Sequence, residues 1–279
     1  YRIKRLQENN IIDHYYALID YATLGYTLIR VYIRFQNTTP AIEEKIREYF
    51  LDQDSTFKVY ETEIQWDVAV GIFVKDLKEY YSLMQDFKEV YSGYIGELDE
   101  SVFLEYVHYF RNYLSDDVDE TPMITGSGAP AQIEYPELLG LLATQARLPL
   151  VELARRLGVS ANTVKYQMKK MRDDGVVLAY RAKINQELLG YTYYKVDLDL
   201  EDCSIIPSLR QFVASRRNAT FEDRAIGGSD FEFNVELPDS KSLTDLMNHL
   251  KQQFPEKITS WRYYKQIHAH GYKYIGADF

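Results

Sequence analysis

The stretch that decides the fold occurs twice in this chain of 279 residues. Residues 1–33 read YRIKRLQENNIIDHYYALIDYATLGYTLIRVYI, and residues 166–198 read YQMKKMRDDGVVLAYRAKINQELLGYTYYKVDL. The two stretches align without a gap, and Leu-Gly-Tyr-Thr stands at 24–27 and again at 189–192. Solenoid repeats are only about 20–50 residues long. The sequence therefore predicts two copies of a larger unit.

Composition and charge limit the classes of protein that need to be considered. Apolar residues make up 46% of the chain and charged residues 27%, which is typical of a soluble globular protein. No apolar run reaches the roughly 18 residues of a membrane span, so we expect no membrane partner. Cys203 is the only cysteine, which excludes an intrachain disulfide and favours a reducing, cytoplasmic location.

The basic residues are unevenly distributed. The whole chain has a net charge of −10, which by itself argues against a nucleic-acid partner. Residues 135–184, however, carry nine basic and four acidic side chains, a local charge of +5. A basic region in an acidic chain is typical of a small DNA-binding module attached to another domain.

The basic region has the pattern of a winged helix-turn-helix. A helix is predicted over 136–146 and a second one from Pro149 to Leu157, which Gly158 ends. Ser160 is suited to cap a third helix over 161–173, whose apolar positions recur at helical spacing. Gly175 ends that helix, and the alternating residues 176–184 predict a short β-ribbon. Three helices followed by a ribbon are the winged arrangement.

A second domain follows each copy. The periodicity predicts the order β-α-β-β-α-β in both, which is the ferredoxin-like order. In copy two the predicted elements are strand 193–200, helix 206–215, strands 219–225 and 231–237, helix 240–253 and strand 258–274. In copy one they are strand 28–35, helix 40–51, strands 57–63 and 67–74, helix 77–91 and a final segment 94–113, read as strand by analogy with copy two.

The predicted fold class is therefore α+β, a tandem repeat of a winged helix-turn-helix and a ferredoxin-like domain. Residues 115–134 are rich in Asp, Gly and Pro and are predicted to be a linker. The predicted domains are a remnant of a first winged helix-turn-helix (1–20), a ferredoxin-like domain (21–114), the linker (115–134), a winged helix-turn-helix (135–184) and a second ferredoxin-like domain (185–279). Because residues 135–165 have no counterpart before Tyr1, we expect the natural protein to extend upstream by at least that length.

The chain resembles the Lrp/AsnC (feast/famine) family of transcriptional regulators. The stretch LARRLGVSANTV (153–164) resembles the family's helix-turn-helix, and 175–177 and 189–191 resemble the starts of its wing and of its first sheet strand. The resemblance implies a ligand-sensing, ferredoxin-like RAM domain behind each winged helix. It also implies that RAM domains pair face to face and bind a small molecule, often an amino acid, at the pairing interface.

The resemblance suggests an effector site and a mode of pairing. The turn Gly227-Gly228-Ser229-Asp230 resembles the family's glycine/aspartate turn near the effector, although a plain hairpin turn needs the same residues. In copy one the equivalent turn is Ile64-Gln65-Trp66-Asp67, which puts an effector role there in doubt. We expect a homo-oligomer, or an intrachain pseudo-dimer formed through the two RAM domains.

The outer face of helix 161–173 is the predicted reading surface. Asn162 and Gln167 are suited to adenine and Thr163 to a thymine methyl, although the family usually has arginine where Gln167 stands. The basic side chains, Lys183 among them, are predicted phosphate contacts, and a merely solvated charged face is the alternative. The candidate DNA-binding residues are Arg155, Arg156, Ser160, Asn162, Thr163, Lys165, Tyr166, Gln167, Lys169, Lys170 and Arg181, with Arg2, Lys4 and Arg5 from copy one.

Two other functions remain open. Siroheme decarboxylases share the winged-helix and RAM-like architecture, but they would need histidine and arginine at the pocket. Residues 219–237 hold Arg224 and no histidine. A metabolite-binding protein with a vestigial wing is the other alternative. His268 and His270 share a strand face without a third ligand, so we predict no metal site. We also predict no cofactor and no enzymatic activity.

Overall fold

A computed structural model describes residues 1–115 and 121–276 of the chain. The elements form two runs of the same kind. The first run consists of α1 (Arg2–Glu8), β1 (Ile12–Ile19), β2 (Thr27–Phe35), α2 (Pro40–Leu51), β3 (Thr56–Glu63), β4 (Val68–Val74), α3 (Leu77–Tyr91) and β5 (Ile95–His108). The second consists of β6 (Met123–Thr125), α4 (Pro136–Gln145), α5 (Leu150–Leu157), α6 (Ala161–Asp173), β7 (Val177–Ile184), β8 (Thr192–Leu200), α7 (Ile206–Ala214), β9 (Ala219–Ile226), β10 (Phe231–Leu237), α8 (Ser240–Gln253) and β11 (Ile258–Tyr272).

Eight of the strands close into a barrel. The first run contributes strands in the spatial order β5-β2-β4-β3 and the second contributes β11-β8-β10-β9. The prediction of two separate ferredoxin-like sheets needs correction, because β3 pairs with β11 and β5 pairs with β9 to give one continuous sheet. Strands at the edge of a sheet expose unpaired N–H and C=O groups, and closure removes those edges.

Helices cover the outer face of the barrel on both sides. Ile46 and Phe50 of α2 and Phe87 of α3 are fully buried against the first half of the barrel. Leu209 of α7 and Leu250 of α8 are fully buried against the second half. Burial of one such side chain stabilises a fold by about 1.5–3 kcal/mol. These two helix layers pack on the outer face of the barrel, so a functional site can occupy its interior.

The wings of the two runs share one ribbon. β1 pairs with β7 in an antiparallel two-stranded sheet, with Tyr16 opposite Arg181. Leu138, Leu139 and Leu142 of α4 are buried in one apolar cluster with Ala17 of β1. The winged helix-turn-helix of the second run is therefore completed by a strand of the first run, within a single chain.

The predicted linker is partly structured. Residues 116–120 lie outside the described part of the chain, but Met123–Thr125 forms β6 and pairs with β5. Beyond it, the buried carboxylate of Asp20 accepts hydrogen bonds from the amides of Gly126 (2.6 Å) and Gly128 (2.9 Å). A side chain on Gly128 would collide with Asp20, so this glycine serves close packing rather than a loose tether. The final segment of copy one is strand only as far as His108.

The described residues contain neither a membrane-spanning helix nor a metal-binding cluster. In 1–115 and 121–276, none of the helices is long and apolar enough to cross a membrane. The same residues contain no group of three or more His, Cys, Asp or Glu side chains placed to hold a metal ion.

Candidate functional site

The winged helix-turn-helix is built by local signals that the sequence displays. Pro136 occupies the first turn of α4. Gly158 adopts a left-handed conformation (φ 67°) and ends α5, and the Ser160 hydroxyl accepts a hydrogen bond from the Thr163 amide and caps α6. Leu153, Val164 and Met171 are buried between the helices. The helix-turn-helix geometry is therefore set by the buried residues and leaves the outer face of α6 free.

The reading residues proposed from the sequence differ in their exposure on α6. Asn162 and Tyr166 are exposed, Tyr166 at 62%, and Thr163 and Gln167 are half-buried. Thr163 Oγ1 lies 2.8 Å from Ser160 Oγ, so part of its hydrogen-bonding capacity is used within the cap. Asn162 and Tyr166, one helical turn apart, share the outer face, as major-groove readout requires, whereas Gln167 faces an opening lined by Tyr135 and Leu157.

Ion pairs lower the net charge of this face. Arg155 and Arg156 both bind Glu152, at 2.8 Å each. Lys170 lies 2.9 Å from Asp174 and 3.2 Å from Glu134, and Lys169 binds Asp173. In the described part of the chain, Lys165 has no carboxylate partner. Exposed pairs of this kind contribute little to stability, so their lysines and arginines can exchange a carboxylate for a phosphate at little cost.

Two predicted phosphate contacts point elsewhere. The Arg181 guanidinium lies over the Phe110 ring, 4.7 Å from its centroid, against the barrel. Lys183 Nζ donates to the Tyr272 hydroxyl at 3.0 Å. Both residues are on β7, where side chains alternate between faces, and their face of the ribbon is the one that packs on the barrel. Their assignment to DNA needs correction.

The basic residues of copy one occupy a short exposed helix. Arg2, Lys4 and Arg5 of α1 are all exposed, and Lys4 lies 3.7 Å from Glu8. α1 precedes β1 as α6 precedes β7, and β1 pairs with β7. The shared ribbon therefore places the two helices in equivalent positions at its two strands.

The glycine turn lies where the two halves of the barrel meet. Gly227 and Gly228 have φ angles of +86° and +76°, and a side chain on Gly227 would stand 2.5 Å from the Glu100 carbonyl oxygen of β5. The Ser229 amide donates to Glu232, and Asp230 accepts from the Leu200 amide at 2.8 Å. The four predicted effector residues are thus together, but their polar groups are partly used in the turn itself.

A charged network fills the barrel beside this turn. We use the name barrel network for Arg30, Lys195, Asp197, Asp223 and Glu232, all of which are buried. Arg30 binds Asp223 (2.6 Å) and Glu232 (2.7 Å), and Lys195 binds the same two carboxylates at 2.8 and 2.5 Å. Lys195 also lies 3.1 Å from Asp197. Two cations thus face three carboxylates away from water.

The imbalance shows in the pKa values. Burial raises the pKa of Asp197 to about 6, with a further contribution from Glu232. Burial acts in the same direction on Glu232, but Arg30 and Lys195 outweigh it and lower the pKa of Glu232 to about 2. Asp197 therefore takes up a proton much more readily than Glu232.

Sequence reasoning missed two openings between the ribbon and the barrel. The wing cavity, of about 90 Å³, is enclosed by β1, β7 and the barrel, and is lined by Lys58, Lys183 and several aromatic rings. The histidine groove, of about 740 Å³, adjoins it and is lined by His14, His268 and His270. Lysines within aromatic-rich strands were the available signal, but the ribbon that closes the cavity joins residues far apart in sequence.

The histidines of the groove already have protein partners. His14 Nε2 lies 2.8 Å from the Tyr274 hydroxyl, and His270 Nε2 lies 2.6 Å from Glu61. The His268 and His270 rings are 4.7 Å apart. The histidines that residues 219–237 lack are therefore collected at a different place, on β11 and β1.

Comparison with known proteins identifies the winged helix and relates the whole fold to solved structures. Residues 137–177 match the winged helix-turn-helix DNA-binding family. The regulator LrpA of Pyrococcus horikoshii is 34% identical over 55 residues, which are 20% of this chain and 39% of LrpA. The chain thus spans about two fifths of that relative. The regulator LrpB of Bacillus subtilis is 23% identical over 114 residues, 41% of this chain and 76% of LrpB.

Among solved structures, the siroheme decarboxylase NirDL in complex with an iron-uroporphyrin III analogue resembles the chain over most of its length. The TM-score is 0.65 at 12% identity, and the match covers 99% of this chain and 82% of that one. The uncomplexed NirDL gives a TM-score of 0.64. The prediction that the chain is not an enzyme is contradicted by this finding, because a full-length fold neighbour is one. At this identity the likeness concerns the fold alone.

Proposed function

We propose that the chain is a DNA-binding transcriptional regulator of the Lrp/AsnC type whose barrel senses a small ligand, which the winged helix-turn-helix match over residues 137–177 supports. The observation that carries the proposal is the outer face of α6. Asn162 and Tyr166 are exposed there, one turn apart, on a helix that is capped and packed as a recognition helix. Amide side chains in this position pair with adenine in the major groove.

The charges around α6 support the same function. Lys165 has no carboxylate partner in the described part of the chain, Lys169 binds Asp173 one helical turn away, and Lys170 binds Asp174 and Glu134. Phosphates displace such exposed partners readily, because the attraction to a polyanion is reinforced by counterion release. The basic side chains of α6 therefore lie beside the proposed reading residues, although the chain as a whole is acidic.

Fluorescence anisotropy against the chain's own upstream DNA and a random duplex tests the proposal. Lys165→Ala is expected to weaken both complexes alike and to reduce the salt slope by about 1. Gln167→Ala is expected to cost about 1–3 kcal/mol on the upstream duplex only. Lys241→Ala, which removes an exposed lysine on α8, is the matched control. No preference for the upstream duplex in a folded, full-length protein would refute the function.

The proposed ligand is an amino acid, and its proposed site is the turn Gly227-Gly228-Ser229-Asp230. The turn abuts Arg30 and Glu232, a cation and an anion that match the carboxylate and ammonium of a zwitterion. The expected result is that one amino acid shifts the DNA anisotropy curve and that Gly228→Ala abolishes the shift while DNA binding remains. If none of the twenty amino acids changes DNA affinity, this part of the proposal is wrong.

We also infer that the two runs descend from one duplicated unit that now pairs with itself. Each run forms a four-stranded sheet of the same strand order, and Arg30 and Lys195 occupy equivalent positions in the two aligned stretches. The pairing lies within one chain. Sedimentation analysis is expected to show an intact barrel in the monomer, and an obligate assembly that unfolds on dissociation would argue against it.

A second candidate is a siroheme-decarboxylase-like enzyme, favoured by the full-length fold likeness and by the histidine groove. The groove, of about 740 Å³, carries His14, His268 and His270, and both the ribbon and the barrel line it. Absorbance spectra after incubation with siroheme test this candidate. A spectral change that is lost in His268→Ala would support it, and an unchanged siroheme spectrum would exclude it.

A further inference from the structure

The wing cavity has an apolar, aromatic wall. Rings from the ribbon and from both halves of the barrel line it, among them Tyr16, Phe57, Phe221 and Tyr272. Tyr272 and Tyr274 stack on one side, with ring centroids 5.9 Å apart. Tyr16 and Tyr274 stack at 4.4 Å. Such a wall favours a ligand with a flat apolar body.

Two lysines point into this wall without a carboxylate partner. Lys183 Nζ contacts only the Tyr272 side chain, its hydroxyl at 3.0 Å and its ring centroid at 4.3 Å, among the described residues. Lys58 Nζ lies over the rings of Tyr60 (4.7 Å) and Phe57 (5.6 Å), again with no carboxylate partner in the described part of the chain.

The anions near the lysines are already neutralised. Glu236 also lines the cavity, but Arg111 holds it through two hydrogen bonds of 2.7 and 2.8 Å, and Tyr113 donates to it as well. Asp223 is bound by Arg30 and Lys195. Among the described residues, no carboxylate pairs with either of these half-buried lysines, and a charge that is partly removed from water without a partner is costly.

Three groups at the cavity have shifted pKa values. Burial lowers the pKa of Lys58. Burial opposes the shift of Tyr272, but Lys183 and Lys58 outweigh it and lower the pKa of this phenol. Burial, helped by Arg181 and Lys58, holds the pKa of His108 well below its usual range, so this ring is neutral. Its Nε2 lies 3.1 Å from Thr125 Oγ1, whereas the buried Nδ1 has no hydrogen-bond partner among the described residues.

We propose that the wing cavity binds a small organic acid, with its carboxylate between Lys58 and Lys183 and its apolar body among the aromatic rings. A volume of about 90 Å³ exceeds several times the ~10–15 Å³ that one water needs. It is far below the roughly 300–1,000 Å³ of sites for drug-sized ligands, which excludes a tetrapyrrole. The proposal goes beyond the function proposed above, because it does not depend on DNA binding or on the turn at 227–230.

The position of this ligand would connect the wing to the barrel. Lys183 belongs to β7 of the ribbon, Lys58 to β3 of the first half and Tyr272 to β11 of the second. A carboxylate held by both lysines therefore joins β7 of the ribbon to β3 of the barrel, next to the existing hydrogen bond between Lys183 and Tyr272 of the neighbouring strand β11.

Calorimetry with the full chain tests the site, with benzoate as the probe and benzyl alcohol as its uncharged analogue. Benzoate is expected to bind one site with a dissociation constant of about 1 mM or lower, at least tenfold more tightly than benzyl alcohol. Lys58→Met and Lys183→Met are each expected to weaken benzoate binding by roughly tenfold to a hundredfold. Lys241→Met, on the outer helix α8, is the control and should leave it unchanged.

Equal affinity for benzoate and benzyl alcohol would overturn the proposal. So would unchanged benzoate binding in both lysine variants, or equal stabilisation by chloride at the same concentration, which would identify an inorganic anion site. None of these measurements involves DNA, so a failure here is distinguishable from a failure of the proposed regulator.

Thermal unfolding separates a ligand-binding role of Lys58 from a packing role. Because the unliganded cavity buries an unbalanced charge, Lys58→Met is expected to raise the unfolding midpoint without benzoate and to abolish the further rise that benzoate causes. A lower midpoint together with unchanged benzoate affinity would assign Lys58 to packing and overturn the proposal.

Discussion

The two turns that join the second and third strands of each barrel half begin with the same backbone conformation but have opposite chemistry. Ile64 opens one turn with φ 97° and Gly227 opens the other with φ 86°, so both begin in the left-handed region. The turn of the first half then buries Trp66 against Tyr32. The turn of the second half places Gly228 against the barrel network. One meeting point of the halves is closed by aromatic rings, and the other is held by charges.

This difference shows that equivalent positions have taken separate roles. Ser101 of β5 is a small polar residue that accepts a hydrogen bond from Arg30 at 3.0 Å. At the equivalent position of the second half, Tyr264 of β11 is buried and hydrogen-bonded to Tyr32. An aromatic closure is stable without a ligand. A charged closure is stable only while every charge keeps a partner, so it is the place where a charged ligand can change the balance.

The largest effect is expected from breaking the charged closure. Arg30→Leu leaves Asp223 and Glu232 to Lys195 alone, and loss of one partner from a buried ion pair costs about 3–5 kcal/mol. Urea unfolding measures the change. Arg34→Leu, which removes an exposed arginine bound to Glu97, is expected to cost less than about 1 kcal/mol. A similar small loss in both variants would show that the barrel network does not hold the two halves together.

A smaller effect is expected from adding one methyl group to the charged turn. Gly227→Ala forces a side chain into a left-handed conformation, and also within 2.5 Å of the Glu100 carbonyl oxygen, for a cost of about 3 kcal/mol. Gly190→Ala has the same φ problem (+81°) but open space around it, and should cost about 1–2 kcal/mol. Equal unfolding free energies for the two variants would mean that the turn is not pressed against β5.

The charged half is also expected to be the pH-dependent one. The pKa of Asp197 is raised to about 6 in the folded protein, so the folded state binds a proton that the unfolded state releases near pH 4. Stability from this group is present at low pH and is lost as pH rises from about 4 to 6, by about 2–3 kcal/mol. Asp197→Asn should remove that loss.

The measurement is the unfolding free energy of the wild type minus that of the variant, followed from pH 4 to 7.5. Asp199→Asn, two residues along the same strand and half-buried beside Arg262, is the control, for which a flat difference is expected. A flat difference for Asp197→Asn as well would place the extra proton on another carboxylate.

Local patterns predicted the elements around these sites but not the contacts between them. Ser160 and Gly175 mark the ends of α6 in the sequence, because a cap and a left-handed stop act within a few residues. Arg30 gives no comparable signal. It stands in an apolar strand, and its partner Asp223 is 193 positions away. The wing cavity was missed for a similar reason, because it forms only where β1 pairs with β7, far away in sequence.

The predicted linker illustrates the same limit. Glycines at 126 and 128 indicate flexibility when they are read locally, yet both amides bind the buried Asp20, more than a hundred residues upstream. Composition indicates how flexible a segment is in isolation. In the folded chain, the hydrogen bonds to Asp20 fix the conformation of this one.

The smallest effect is expected in the aromatic turn, and its sign is the informative part. Ile64 is β-branched and left-handed, a conformation that costs about 1–2 kcal/mol for a residue with a Cβ, and its side chain is 64% exposed. Ile64→Gly should therefore stabilise the protein by up to about 1 kcal/mol, since the greater freedom of glycine in the unfolded chain offsets part of the gain. Urea unfolding beside Ile64→Ala, which keeps the strain, provides the comparison. If Ile64→Gly is destabilising while Ile64→Ala is neutral, the left-handed residue carries no strain, and the aromatic turn tolerates this conformation without glycine.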